Sequence, residues 1–251
     1  SALAGAPWPE LGAYVLTVYP LLEARMAADA GLSLAQWRAF GATVRQVHDS
    51  QLPPELRQIM PSEQFAPWRR RLLDGLDAAV AQADPAAREL VECWQARRDE
   101  IGALAARCDE LAAQMRRAEL PHALCHADMH TWNVLVGADG ALWLVDWDET
   151  MLAPKERDLM FVIGGIGRGL VQPHETAAFL EGYGQAAIDQ RALTYYRYAW
   201  AVQDLAAYAE EALLTPGASP EARRAAARSF VAQLAEGNIV DIARASDRAS
   251  G

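Results

Sequence analysis

The chain has 251 residues, a net charge of −10 and 52% hydrophobic residues, enough apolar material for a packed core in about one domain. The acidic balance argues against nonspecific nucleic-acid binding, and no apolar run reaches membrane-spanning length or resembles a secretion signal. Cys93, Cys108 and Cys125 form no Cys-x-x-Cys pair, so reduced, mostly buried thiols in a soluble cytoplasmic protein are expected.

Residues 1–10, with Pro7 and Pro9, read as irregular. Tyr14–Tyr19 (Y-V-L-T-V-Y), flanked by Gly12 and Pro20, reads as a strand. Ser33 with Gln36 forms a capping-box pattern that opens a helix. Apolar residues continue at helical spacing to His48, and Pro53-Pro54 ends it. His48, at the helix end, is expected to be structural or to serve the helix dipole.

Residues 65–120 read as helical throughout, split where Asp84 precedes Pro85. The second part carries a stripe of Leu90, Trp94, Ile101, Leu104, Cys108, Leu111 and Met115, with Cys93 at or near the core.

The most informative stretch follows, L-C-H-A-D-M-H-T-W-N-V-L-V-G-A-D-G-A-L-W-L-V-D-W-D from Leu124 to Asp148. Two apolar runs, Val134–Val136 and Leu142–Val145, flank Asp139-Gly140, a strong hairpin signal. Such a hairpin brings the polar cluster at its start beside the acids at its end. Oxygen ligands on paired strands can converge on a hard cation such as Mg²⁺. Asp128 can take a proton from a hydroxyl and orient it for attack. Asn133 can offer an amide oxygen, and Asp146 a carboxylate, to the cation. Together they are the minimal equipment for moving a phosphoryl group from Mg-ATP to an alcohol.

Beyond the hairpin, residues 151–158 read as a polar connection, with an apolar helix starting at Leu159. The run I-G-G-I-G-R-G matches neither G-x-G-x-x-G nor a P-loop, and reads as a connection between helices. Residues 173–183 and 191–214 look helical. The second segment bears Tyr195, Tyr196, Tyr198, Trp200 and Tyr208, an aromatic stripe that reads as core. Ser219-Pro220 caps a last helix ending near Gly237. The fold class expected is α+β, mainly α-helical, with small β elements.

H-A-D-M-H-T-W-N resembles the H-x-D-x-x-x-x-N catalytic loop of kinases, and V-D-W-D stands in the place of their metal-binding D-F-G. Together with V-D-W-D-E-T-M-L-A-P-K-E-R-D-L-M-F-V, P-H-E and E-G-Y-G, the chain resembles the aminoglycoside phosphotransferase family, in particular its spectinomycin-modifying branch. The resemblance runs from about Tyr14 nearly to the C-terminus. It implies a protein-kinase-like C-terminal lobe over residues 23–251, and an N-terminal-lobe strand and hinge over residues 1–22. It implies ATP and Mg²⁺ as cofactors, Asp128 as catalytic base, His126 as brace of the loop, and Asn133 and Asp146 as metal ligands. Asp158 would tie down the catalytic segment. Tyr19, Pro20 and Leu22 would meet the adenine.

The substrate implied is a small cationic molecule, an aminoglycoside or aminocyclitol modified on a hydroxyl, which confers antibiotic resistance. Asp148, Glu149 and Asp204 are the candidate substrate acids, with Glu210 and Glu211 behind them. Choline, other amino alcohols and sugars are alternative acceptors. Family members also carry a phosphate-covering loop and a lysine on the ATP phosphates. Here about one strand precedes the hinge, and the only lysine is Lys155. Most of the N-terminal lobe is therefore expected to be absent, and turnover by these residues alone weak or absent. Two rival readings are a metal-dependent hydrolase using His126, Asp128 and His130, and a non-catalytic binding module.

Overall fold

The computed structural model describes residues 20–250, together with 10–11 and 14–15. Strands β1 (Glu10–Leu11) and β2 (Tyr14–Val15) pair antiparallel. The rest of the expected strand, residues 16–19, lies outside the described residues, as does the predicted adenine contact Tyr19.

Strand β3 (Ala24–Met26) runs into a single helical turn, α1 (Ala27–Ala30). Helix α2 (Leu34–His48) begins with the predicted capping box. Ser33 Oγ accepts from Gln36 N–H at 3.3 Å, and Gln36 Oε1 accepts from Ser33 N–H at 3.0 Å. Its buried face, Trp37, Phe40, Gly41, Val44 and His48, packs on α7 (Pro173–Tyr183). Small residues permit the close crossing. A Cβ added at Gly41 would lie 2.0 Å from Phe179 O, and one at Gly182 would lie 1.9 Å from Arg38 O. Helix α3 (Pro54–Ile59) buries none of its residues.

Residues 65–84 correct the expectation of unbroken helix. Phe65 (φ 50°) and Arg69 (φ 59°) adopt left-handed backbone, followed by a 3₁₀ segment at Arg70–Gly75 and the short α4 (Leu76–Val80). The Phe65 ring is buried and its N–H is taken by Glu63 Oε1 at 2.6 Å, so tertiary anchoring overrides helical propensity here. Downstream the expectation holds. Asp84 Oδ1 accepts from Ala86 N–H, and α5 (Arg88–Met115) buries the predicted stripe.

Strand β4 (Ala123–Cys125) leads into the loop 126–133 and then the predicted hairpin, β5 (Val134–Gly137) and β6 (Leu142–Leu144), paired Val134↔Leu144 and Val136↔Leu142. The turn forms as the Asp-Gly pair dictates. Gly140 sits at φ 81°, and Asp139 Oδ1 accepts from Ala141 N–H at 3.0 Å. Strand β3 adds to the other side of β5, giving the order β3-β5-β6.

The segment expected to be a polar connection is instead structured and buried. Strand β7 (Met151–Ala153) pairs with β4, and α6 (Glu156–Leu159) buries Glu156, Arg157 and Asp158. The helical turn thus ends at Leu159 rather than starting there. Helices α8 (Gln190–Leu213) and α9 (Pro220–Gln233) match expectation, with Ser219 Oγ accepting from Ala222 N–H at 3.1 Å. A further helix, α10 (Ile239–Ser250), follows a short connection after Gln233 in which Gly237 adopts φ 76° and donates its N–H to Asp241. Ile239, Val240 and Ala243 bury the face of α10 that meets α8. One hydrophobic core joins residues from Ala27 to Ala243, with α8 at its centre against α5, α9 and α10. Among the described residues, no helix is long and apolar enough to cross a membrane.

Candidate active site

The loop between β4 and β5 is held from beneath by one buried carboxylate. Asp158 Oδ2 accepts from His126 N–H at 2.9 Å, and Oδ1 accepts from Ala127 N–H at 2.7 Å. His48 Nε2, 3.0 Å from Asp158 Oδ2, supplies a third donor, and its Nδ1 meets the Tyr183 hydroxyl at 2.7 Å. Paired strands β4 and β7, the α2 C-terminus and the α7 C-terminus thus converge beneath the loop. The anchoring holds Ala127 at φ 69°, a backbone conformation costly for a residue with a Cβ. His48 is structural, as its position suggested, but its partners were not readable from sequence.

His126 is fully buried and both ring nitrogens are committed. Nδ1 accepts from Asp128 N–H at 3.3 Å, so Nε2 carries the proton and donates to Val145 O at 2.9 Å. The ring links the loop to the end of the hairpin, with the Trp147 ring 4.7 Å away. A metal set of His126, Asp128 and His130 would require a free imidazole nitrogen that His126 lacks, so the hydrolase reading finds no support in the geometry.

Asn133 Nδ2 donates to Asp128 O at 2.9 Å and to Asp128 Oδ2 at 3.0 Å. This fixes the amide with its nitrogen on Asp128 and its oxygen as the atom left for a cation. Asp128 Oδ1 is buried and receives no hydrogen bond among the described residues. His130 Nε2 lies 3.3 Å from it, outside hydrogen-bonding alignment. Across the hairpin, Val145 N–H donates to Asn133 O at 3.0 Å, so the next residue, exposed Asp146 at φ 64°, follows directly on the strand beside Asn133. Hard oxygen donors of this kind fit Mg²⁺.

Asp128 opens on a cavity of about 210 Å³, lined also by Trp68, Glu149, Arg157, Trp200 and Asp204. A second cavity of about 400 Å³, walled by Glu63, Met151, Tyr195 and Tyr196, shares Trp68, Glu149, Arg157 and Gln203 with the first. Burial, with the neighbouring Asp128 charge second, pushes the Asp204 carboxyl up to about 7, while the Trp200 indole N–H acts the other way. Of the predicted substrate acids, Glu149 lines both cavities and Asp204 the first. Asp148 is exposed and lines neither. Glu210 pairs with Arg69 at 2.6 Å, and Glu211 is exposed. Pro20 is exposed, and the half-buried Leu22 has its carbonyl taken by Ala24 N–H at 3.0 Å. Glu63, Trp68, Arg157 and Gln203 went unidentified in the sequence. Only Arg157, next to Asp158, carried any hint.

A model of the phosphotransferase enzyme family (APH) matches residues 9–201. The chain belongs to that family. It is accordingly a small-molecule phosphotransferase with the kinase-like fold. Among solved structures, spectinomycin phosphotransferase in complex with ADP and spectinomycin aligns at a TM-score of 0.87 and 30% identity, covering 98% of this chain and 75% of the other. An aminoglycoside phosphotransferase from Alicyclobacillus acidocaldarius subsp. acidocaldarius DSM 446 aligns at 0.55 and 18% identity, over 98% and 74% of the chains. A choline/ethanolamine kinase family protein from Mesorhizobium loti aligns at 0.52 and 17%, over 91% and 74%. A search of curated proteins returned no match. The two more distant phosphotransferases share the fold and carry no substrate inference.

Proposed function

We propose that the protein transfers the γ-phosphoryl group of ATP to a hydroxyl of a cationic aminocyclitol of the spectinomycin type, a reaction that inactivates the antibiotic. The observation that carries this reading is Asp128 Oδ1, a buried carboxylate oxygen without a hydrogen-bond donor among the described residues, on a residue lining an acid-lined cavity. The likeness to a phosphotransferase solved with ADP and spectinomycin supports the choice of nucleotide and acceptor.

The acceptor hydroxyl donates to Asp128 Oδ1, which orients the oxygen and takes its proton as the new P–O bond forms and the bond to ADP breaks. His126 and Asp158 hold the loop, and Asn133 holds the carboxylate through Oδ2 so that Oδ1 remains free. Asn133 Oδ1 and Asp146 would hold Mg²⁺, which supplies charge neutralisation at the phosphates. Tyr19 and the backbone of Pro20 and Leu22 are assigned to the adenine. Pro20, lacking an N–H, can offer only its carbonyl. Dependence on ATP assigns the reaction to the cytoplasm.

The only lysine, Lys155, contacts buried Glu156 at 2.9 Å, so no lysine of this sequence is assigned to the phosphates and turnover is expected to be slow. Single-turnover incubation with excess protein, ATP, Mg²⁺ and spectinomycin, read by mass spectrometry, tests the proposal. Phospho-spectinomycin should form, and Asp128→Ala should abolish it. No product with the unmodified chain, or undiminished product with Asp128→Ala, would overturn it.

A further inference from the structure

We propose that Asp204 and Arg157 determine acceptor specificity, Asp204 by receiving an ammonium group and Arg157 by donating to an oxygen of the same acceptor. The inference rests on the phosphotransferase reading and specifies how its acceptor site discriminates.

Both residues line the cavity that holds Asp128. Arg157 is only 8% exposed, yet its side chain makes no hydrogen bond or ion pair among the described residues. Instead it rests against the Trp200 and Tyr196 rings, 5.4 and 5.8 Å from their centroids. Buried guanidinium groups normally find acceptors. Here Arg157 borders both cavities with its donors unspent, which suits a ligand rich in hydroxyl or carbonyl oxygens.

Asp204 presents the complementary need. It has no basic partner among the described residues, since Arg69, the other cation of this cavity, pairs with Glu210. The charged and titratable groups around it are Asp128 on the catalytic loop, Glu149 after the hairpin, Arg69 on the preceding segment, Arg157 on α6, and Tyr208 on α8. Burial, and after it the Asp128 charge, hold Asp204 partly protonated near neutrality, at about 7. An ammonium seated there favours the ionised form, so binding expels a proton. The sign follows: a carboxyl with a raised pKa is neutral below about 7, so affinity for a cation falls as pH drops through that value. A cavity of about 210 Å³ holds one substituted ring, not several. The acceptor is therefore an amino alcohol whose hydroxyl faces Asp128 and whose ammonium reaches Asp204 in the same cavity, with the remainder in the second cavity.

Calorimetry with spectinomycin, in two buffers of different ionisation heat at pH 7, tests this without any turnover. The unmodified chain should release about half a proton per site, and its affinity should fall several-fold between pH 8 and pH 6. Asp204→Asn should bind at least about tenfold more weakly and release no proton, while Asp204→Glu recovers part of both. Arg157→Lys, which keeps the charge but loses the fork of donors, should weaken binding without changing proton release. Native circular dichroism of each variant verifies folding. Unchanged affinity and proton release in Asp204→Asn would overturn the assignment of Asp204, and unchanged affinity in Arg157→Lys that of Arg157. Either result would leave phosphoryl transfer by Asp128 standing. Conversely, proton-linked binding with no phosphorylated product would sink the reaction and keep the recognition site.

Discussion

Replacing Asp158 by alanine should unfold the catalytic loop's support and much of the protein's stability with it. The carboxylate is completely buried and accepts from two backbone N–H groups, at 2.9 and 2.7 Å, and from His48 at 3.0 Å. Each buried donor left without an acceptor costs about 1–3 kcal/mol. Three donors give about 3–6 kcal/mol once partial relaxation is allowed, a large share of the roughly 5–15 kcal/mol that holds an ordinary domain folded. In a chain of this size that corresponds to a melting point lower by about 10–20 °C. Asp158→Asn keeps one acceptor oxygen and should lose less, about 2–3 kcal/mol. Urea titration followed by tryptophan fluorescence gives the comparison. Asp148→Ala, on an exposed side chain, serves as a control expected to stay within about 0.5 kcal/mol. A loss under about 1 kcal/mol for Asp158→Ala would refute the view that this carboxylate carries the loop.

Two further expectations concern the scaffold. Gly41→Ala places a methyl 2.0 Å from Phe179 O, which α2 and α7 can relieve only by separating, so a loss above about 3 kcal/mol in the same titration is expected. A near-neutral result would mean that the crossing is looser than described. Among the thiols, burial pushes Cys108 up to about 12 and Cys125 further still, whereas Cys93 is half-buried and shifted less. Maleimide labelling of the native chain should therefore mark Cys93 first, with Cys108 and Cys125 reacting only in denaturant. Mass mapping showing early Cys125 modification would contradict its burial.

Local signals carried the parts of the site that local sequence determines. Asp139-Gly140 specified the turn, and the turn fixed the register that sets Asn133 beside the strand leading to Asp146. Ser33 with Gln36 and Asp84 with Pro85 likewise announced their helices. What escaped depends on partners distant in sequence. Strand β3 has no β-branched residue and exists because β5 offers an open edge, and β7 is three residues leading into a polar run, yet it pairs with β4. Helix α10 hid behind Gly237, which reads as a stop signal but donates its N–H to Asp241 at the start of the next helix. The α8 aromatics show why the substrate groove was hard to read. Tyr195 and Tyr196 are buried like core residues yet also wall the larger cavity, and a periodic apolar pattern looks the same either way.

The Asp158 junction also constrains when the protein can become active during synthesis. Its contacts join residues 31, 32 and 110 positions apart, and His48 reaches a further 135 positions to Tyr183. A ribosome must release the chain through Tyr183 before this knot can close. The catalytic loop, although encoded in a few neighbouring residues, therefore awaits long-range assembly. Non-local closure of this kind slows folding relative to the helices around it. A nascent chain stalled before α7 would carry the complete catalytic motif and still lack the support that positions it.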